Sequence, residues 1–161
     1  DEYERFCSRP EIVAFDQHGD PSKRAFYRRI GEEAEKAAGR VDAIVGAIGT
    51  SHSLIGAAEG YSVKPRVVTA EPRTAHVSGI RNLDTQRFGP RDKVKESDFD
   101  LRILVDDRDF YPESRLLTDA GEITFPDSFR VTLGALRSYL RSEGHLETPR
   151  IFALGAANRR S

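Results

Sequence analysis

The residues with the clearest chemical potential form a polar turn after an apolar run. The run covers residues 41–48, and the turn consists of Gly49, Thr50, Ser51, His52 and Ser53. Backbone N–H groups at a helix N-terminus, with the positive end of the helix dipole behind them, favour an anion. The turn therefore predicts a phosphate site. The alternative is a tight strand–helix turn whose hydroxyls cap their own backbone. It is neither an ATP-binding P-loop nor a dinucleotide fingerprint, because Gly-Lys-Ser/Thr and Gly-x-Gly-x-x-Gly are both missing.

The other reactive side chains form no recognisable catalytic or metal pattern. Cys7 has no histidine near it in the sequence, which favours a passive thiol. His18, His76 and His145 lack metal-ligand spacing, so we expect no metal site. The acidic run at residues 106–109 has two interpretations, a cation site or a solvated turn that caps the next helix.

Alternating helices and strands position the polar turn. Residues 20–39 predict a helix, because Asp20 is a good N-cap, Pro21 suits the first helical position and Gly39 favours a stop. Its apolar stripe is predicted to face the core and consists of Phe26, Ile30, Ala34 and Ala37. A strand at 41–48, a helix at 54–61 and a strand at 66–71 follow. This order is typical of a β-α-β crossover in a parallel sheet.

The rest of the chain also predicts alternating strands and helices, from weaker hydrophobic patterns. Strands are predicted at 11–15, 98–106, 122–125 and 151–154, and helices at 111–120 and 128–142. Residues 73–97 predict a loop, and the chain after residue 154 predicts a polar tail. The fold class is therefore α/β, with a mostly parallel sheet flanked by helices in three layers.

Composition limits the class of protein. The 161 residues carry a net charge of −1 and are 38% hydrophobic, which fits one globular domain over residues 1–161. No basic surface for nucleic acid is expected, and no run approaches the roughly 20 apolar residues of a membrane span. A single cysteine excludes an internal disulfide and suits the cytoplasm. Because the chain starts at Asp1 and has no methionine, we expect a processed product or a piece of a longer protein.

Residues 39–72 resemble the second half of a cysteine synthase, in the β-family (fold type II) of pyridoxal-phosphate enzymes. GRVDAIVGAIGTSHSLIGAAEGYSVKPRVVTAEP is similar to the family's V-D-x-x-V-x-G-x-G-T-G-G-T-x-x-G followed by P-x-V-x-x-x-x-E-P. EPRTAHVSGIRNLD is similar to the branch that accepts O-phosphoserine, in which Arg-Asn-Met/Leu-Asp follows the Glu-Pro. LVDDRDFYPESRLLTDAGEITFPDSFRVTLGAL resembles a stretch that ends E-G-x-x-x-G-x-S-S-G-A. The resemblance covers about residues 15–154 and implies the large-domain fold of these enzymes.

The resemblance implies that the polar turn binds the phosphate of pyridoxal 5′-phosphate. Gly49, Thr50, Ser51, His52 and Ser53 stand where the family has Gly-Thr-Gly-Gly-Thr. Ser51 and His52 replace glycines, which are better suited to a positive φ and to close approach of a ligand. His52 has two interpretations, as a donor to the phosphate or as a side chain that points to solvent.

Two further positions acquire roles from the resemblance. In an alignment without a gap, Asp127 stands where the family's first serine bonds the pyridine nitrogen. If the alignment is shifted by one residue, Ser128 makes that bond and Asp127 is a helix cap. Phe129 replaces the family glycine, so the local path is expected to differ. Arg81 stands at the Arg of Arg-Asn-Leu-Asp, which implies a grip on a substrate phosphate; the alternative is a pair with Asp84.

The Schiff-base lysine of the family has no convincing match. Lys23, in Pro-Ser-Lys-Arg, echoes the family's Ser-x-Lys-Asp-Arg motif, but it lies just before the helix that leads into the polar turn. A surface lysine is the preferred interpretation. We therefore expect the catalytic lysine in a missing N-terminal half, and this chain to be the C-terminal part of a longer enzyme.

The resemblance implies a pyridoxal-phosphate-dependent lyase or transferase for β-elimination and β-replacement on a serine derivative, such as O-acetylserine or O-phosphoserine. From the same resemblance we expect an amino-acid substrate, assembly as a homodimer and a location in the cytoplasm. The alternative is a non-catalytic phosphate-binding or regulatory module derived from the same fold. The altered turn, the altered Ser-Ser-Gly-Ala segment and the missing lysine favour that alternative.

Overall fold

The computed structural model describes residues 5, 8–11, 20–74, 76–86, 94–112, 115–118, 121–142, 148–155 and 158–160. Three helices are α1 (Arg24–Ala38), α2 (His52–Glu59) and α3 (Asp127–Ser142). The strands are β1 (Ala43–Ala47), β2 (Arg66–Pro72), β3 (Leu101–Val105), β4 (Arg115–Thr118), β5 (Gly121–Thr124), β6 (Ile151–Leu154) and β7 (Asn158–Arg160). Strands β3-β2-β1-β6 form a sheet, in this order, in which all neighbours are parallel. The strands predicted at 41–48, 66–71, 98–106 and 151–154 are thus confirmed.

Helix α1 forms where its caps predict it. The Asp20 carboxylate accepts a hydrogen bond from the Ser22 N–H at 2.9 Å, and a 3-10 turn, Pro21–Lys23, leads into the helix. At the other end Gly39 has φ 76°, and its N–H donates to the Glu35 carbonyl at 2.7 Å. Only glycine adopts such a φ without steric cost, so Gly39 ends the helix.

Helices cover both faces of the parallel sheet, which confirms the α/β class. On one face, Leu54 and Ala57 of α2 pack on Ile44 and Val67. On the other face, α3 packs its buried residues against the alternate positions of β1 and β2. Strand β1 is central and has apolar residues on both faces, as expected for a strand of a parallel sheet that is covered on both sides.

The predicted apolar stripe of α1 does not face the core. Gly31 is the buried residue of this helix, and a Cβ there would overlap the carbonyl oxygen of Ala57 on α2. Helix α2 therefore packs on the face around Gly31. The apolar stripe lies outside this contact face, so Phe26 is 74% exposed and Ile30 is 37% exposed.

The helix predicted at 111–120 is wrong, because this region contains strand β4. The N–H of Tyr111 donates to the Arg130 carbonyl at 3.1 Å, and the Tyr111 carbonyl accepts from the Arg130 guanidinium at 2.7 Å. These two hydrogen bonds hold the Tyr111 backbone against Arg130 of α3. Strand β5, predicted at 122–125, pairs antiparallel with β4 and with β7, so the polar tail predicted after residue 154 contains a strand that the sequence did not predict.

Some predictions fall outside the described residues. Glu11 lies in a turn, but residues 12–15 of the strand predicted at 11–15 are outside, as are Cys7, His18 and His145. Among the helices that the structure describes, none combines the length and apolarity needed to cross a membrane.

Candidate functional site

The polar turn links the carboxyl end of β1 to the N-terminus of α2. Ser51 has φ 65°, the left-handed conformation, and its carbonyl accepts the first helical bond from the Ile55 N–H at 3.0 Å. The N–H groups of the first helical turn have no acceptor within the helix. They and the helix dipole lie at the carboxyl edge of a parallel sheet, where open α/β folds bind ligands.

A cavity of about 400 Å³ opens beside this turn. That volume lies in the range of roughly 300–1,000 Å³ that is usual for small-molecule sites. The cavity brings together the turn, the first two turns of α1, the start of α3 and the end of β6. Its lining consists of Tyr27, Ile30, Ala47, Gly49, Thr50, Ser51, Ser53, Gly79, Ile80, Ser128, Thr132, Leu154 and Gly155.

The predicted phosphate-binding residues do not contribute equally. Gly49, Thr50, Ser51 and Ser53 line the cavity, whereas His52 is not among the lining residues. The His52 side chain is only 4% exposed, so the interpretation in which it points to solvent is wrong. The Ser51 Oγ is buried and makes no hydrogen bond with any residue that the structure describes. Within the turn, Thr50 and Ser53 also contribute hydroxyl-bearing side chains to the cavity lining.

The start of α3 separates the two candidates for the pyridine nitrogen. Ser128 lines the cavity, whereas the Asp127 carboxylate is 68% exposed and accepts a hydrogen bond from Arg130 at 2.9 Å. Thr132 holds this end of α3 in place. Its hydroxyl accepts from the Ala47 N–H at 3.0 Å and donates to the Ser128 carbonyl at 3.2 Å.

The segment from Gly79 to Asp84 begins at the cavity, to whose lining its first two residues contribute; we call it the wall segment. The Arg81 N–H donates to the Ile48 carbonyl at 2.9 Å, and Gly79 and Ile80 line the cavity. The Arg81 side chain is only 1% exposed and is not among the lining residues. Asp84, which was the alternative partner predicted for Arg81, accepts a hydrogen bond from Arg102 at 3.0 Å.

Behind the wall segment lies an ionic cluster that the sequence did not reveal. The fully buried Glu71 carboxylate accepts two hydrogen bonds from Arg102, each at 2.9 Å. It also accepts from the Leu83 N–H at 2.9 Å and from the Thr69 hydroxyl at 2.6 Å. The Glu71 hydrogen bonds raise the pKa of Arg102 further above its ordinary value, so the guanidinium stays charged.

The remaining candidates lie away from the cavity. Lys23 is in the 3-10 turn before α1 and pairs with Asp20 at 3.2 Å. Residues 107–109 form a short 3-10 turn, and Asp106 pairs with Arg73 at 3.0 Å, as expected for a solvated turn. The described part of the chain contains no group of three His, Cys, Asp or Glu residues arranged to hold a metal ion.

The turn fits a phosphate group by its backbone more than by its side chains. The resemblance puts glycine at position 51, and Ser51 keeps the left-handed backbone that glycine favours. Gly49 lies so close to the wall segment that a Cβ would stand 2.7 Å from the Gly79 carbonyl oxygen. The helix N-terminus together with the Thr50 and Ser53 hydroxyls makes a donor set suited to an anion.

Comparison with known proteins shows which fold these elements build. No protein-family model and no curated protein sequence matches the chain. Among solved structures, it is similar to the hydrogen sulfide-producing enzyme from Fusobacterium nucleatum, with 19% identity over 94% of this chain and 49% of that one, and a TM-score of 0.68. It is also similar to the O-acetylserine-dependent cystathionine β-synthase from Helicobacter pylori, with 16% identity, 98% and 54% coverage and a TM-score of 0.67.

A third similar structure is O-acetylserine sulfhydrylase isoform 3 from Entamoeba histolytica, with 22% identity, 94% and 49% coverage and a TM-score of 0.60. These identities are low, and the likeness is one of fold. It confirms the predicted resemblance to cysteine synthase-like structures at that level. The chain spans about half the length of each of these structures.

Proposed function

We propose that this chain is the phosphate-binding part of a pyridoxal-phosphate-dependent enzyme of the cysteine synthase type. The observation that carries the proposal is the cavity in which the polar turn, at the N-terminus of α2, meets Ser128. The fold shared with cysteine synthase-like structures supports it. The family resemblance of residues 39–72 supports it as well, because it implies that the polar turn binds the cofactor phosphate.

Each lining group has a task in this proposal. The N–H groups of the first turn of α2 and the hydroxyls of Thr50 and Ser53 bind the phosphate. The Ser128 hydroxyl donates to the pyridine nitrogen, and a neutral donor leaves the ring largely unprotonated. Pyridoxal phosphate supplies an electron sink for β-elimination and β-replacement when it is bound. Asp127 remains a surface partner of Arg130.

We propose a serine derivative with an acetyl or phosphate leaving group as the substrate. The O-phosphoserine branch of the family supports Arg81 as the substrate-phosphate residue, because Arg81 directly follows the cavity residues Gly79 and Ile80. Its buried guanidinium has to move toward the cavity to do this. A guanidinium that makes this move can bind a phosphate through two parallel hydrogen bonds.

The catalytic lysine is supplied by the other half of the enzyme in this proposal. Phe26 and Ile30 form an exposed apolar surface on α1, and Ile30 and Tyr27 also line the cavity. An apolar side chain that is 74% exposed beside a binding cavity is suited to a protein contact. We propose that the lysine-bearing half covers this surface and closes the cavity.

A non-catalytic phosphate-binding module is the second candidate. Ser51 and His52 stand where the family has glycines, and both side chains are buried. Phe129 packs directly on Gly155, in the place where the family's serine-rich segment is altered. These substitutions favour a cavity that keeps the anion site and has lost the reaction.

Borohydride reduction of the natural protein with pyridoxal phosphate separates the two candidates. The enzyme is expected to yield one modified lysine outside residues 1–161, and Gly49→Val is expected to prevent the modification. Peptide mapping by mass spectrometry locates the modified residue. Scattered modification of surface lysines, insensitive to Gly49→Val, contradicts the enzyme and favours the module.

A further inference from the structure

We propose that Arg102 is a positioning residue that holds the wall segment, residues 79–84, against the phosphate-binding turn. Arg102 lies on β3, directly opposite Thr69 of β2 in the sheet register. Glu71 is two residues further along β2 and therefore shares the face of Thr69. The register thus brings the Arg102 guanidinium to the Glu71 carboxylate, which has no exposed surface.

The guanidinium distributes its donors over three carboxylates. Its Nε and Nη2 donate to the two oxygens of Glu71, each at 2.9 Å. Its Nη1 donates to Asp84 at 3.0 Å and to Glu96 at 3.1 Å. Only the fork of an arginine can make these bonds together, because a lysine ammonium is a single point of charge. Without Arg102, the buried Glu71 carboxylate would lose the two charged hydrogen bonds that the guanidinium donates to it.

Hydrogen bonds attach the wall segment to Glu71 and to the adjacent end of β2. Leu83 donates its N–H to Glu71 at 2.9 Å, and the Asn82 side-chain amide donates to the Pro72 carbonyl at 3.1 Å. At the cavity end, the Arg81 N–H donates to Ile48, the residue before Gly49. A shift of Glu71 is therefore passed along the segment to the carbonyl of Gly79, which contacts Gly49.

Hydrogen exchange and ligand affinity of the natural protein test this role. Arg102→Lys keeps the charge and the fold but loses the fork, so amide exchange at Arg81 and Leu83 should accelerate about tenfold more than exchange at Val45, as the loss of a charged hydrogen bond predicts. Affinity for pyridoxal phosphate should fall by about the same factor. The matched control is Arg28→Lys, because Arg28 also makes two bonds to one carboxylate, that of Glu59, and neither residue lines the cavity. It should change both quantities less than about twofold.

The outcomes separate this inference from the proposed function on which its affinity measurement rests. Equal acceleration at Arg81, Leu83 and Val45, or none, overturns the positioning role. Faster local exchange with unchanged affinity also overturns it, because the hold on the wall segment would then have no effect at the phosphate-binding turn. If the wild-type protein binds no pyridoxal phosphate, the proposed function fails, and exchange alone decides whether Arg102 holds the wall segment.

Discussion

Gly49 and Gly79 are in contact across the candidate site. A Cβ built on Gly49 would lie 2.7 Å from the carbonyl oxygen of Gly79, whereas a Cβ built on Gly79 would meet no atom within 4 Å. The polar turn and the wall segment thus approach each other too closely for a side chain at position 49. The two glycines have different reasons to be glycine, because Gly79 has φ 80° and Gly49 has no room.

This contact predicts different effects of two alanine substitutions. Gly49→Ala forces the wall segment outward, so it should lower the free energy of unfolding by ~1–3 kcal/mol and weaken phosphate binding. Gly79→Ala meets no neighbour and should cost only the ~1 kcal/mol of a left-handed alanine. Urea unfolding and titration with pyridoxal phosphate measure both. Equal losses of phosphate affinity in the two variants would contradict the close approach.

Ser51→Gly is expected to stabilise the protein. It relieves the left-handed φ of 65° and removes a buried hydroxyl that makes no hydrogen bond with the described residues. The gain should be ~1 kcal/mol in the free energy of unfolding, measured by urea denaturation. Ser51→Ala is the control, because it removes the hydroxyl and keeps the unfavourable backbone. A Ser51→Gly protein that is less stable than wild type would show that the hydroxyl has a partner.

Glu35 should contribute to stability above acidic pH only. Hydrogen bonds from the side chain and backbone of Ser62 hold the pKa of Glu35 below its ordinary value of 4.5. The folded state therefore favours the carboxylate, and this stabilisation is present above pH 4.5 and is lost as the pH falls through the folded pKa. Denaturation at several pH values should show that the free energy of unfolding falls less at acidic pH in Glu35→Gln than in the wild type. The same difference should shrink in a Ser62→Ala background, and its persistence there would contradict the assignment.

Arg81→Ala should discriminate between two substrates. If Arg81 binds the substrate phosphate, its loss should raise the KM for O-phosphoserine far more than the KM for O-acetylserine. Arg81→Lys keeps the charge and should lie between wild type and alanine for O-phosphoserine alone. Steady-state kinetics of the natural protein measure this, after circular dichroism confirms that the variants fold. Equal effects on both substrates would leave Arg81 as a buried structural arginine.

The parallel core could be predicted because its signals are local. Residues 41–48 are apolar throughout, and Asp20, Pro21 and Gly39 mark the helix before them by their own backbone preferences. Strand β4 could not be predicted, because Tyr111 is held by Arg130, which lies 19 residues further along the chain. Pairing with β5 then outweighs the weak helical preference of the segment.

The candidate site shows the same division. The residue types of the polar turn marked it as a candidate anion site. The family resemblance implied Asp127 or Ser128 as a second contact, and Ser128 is the one that lines the cavity. The Glu71–Arg102 pair depends on the register of β2 and β3, which no spacing in the sequence reveals. The orientation of α1 depends on the close contact of Gly31 with Ala57. The apolar stripe therefore predicted the helix correctly but predicted the wrong buried face.

The most direct test of the central claim compares pyridoxal phosphate with pyridoxal, which lacks the phosphate, as ligands of the natural protein and of Thr50→Ala. Calorimetric titration should give an affinity for pyridoxal phosphate about 100-fold higher than for pyridoxal, because charge-assisted hydrogen bonds at the turn hold the phosphate. Thr50→Ala should weaken the binding of pyridoxal phosphate by ~1.5–3 kcal/mol and leave that of pyridoxal unchanged. Equal affinities of the wild type for the two ligands, or an equal loss for both in Thr50→Ala, would contradict a phosphate site at the polar turn.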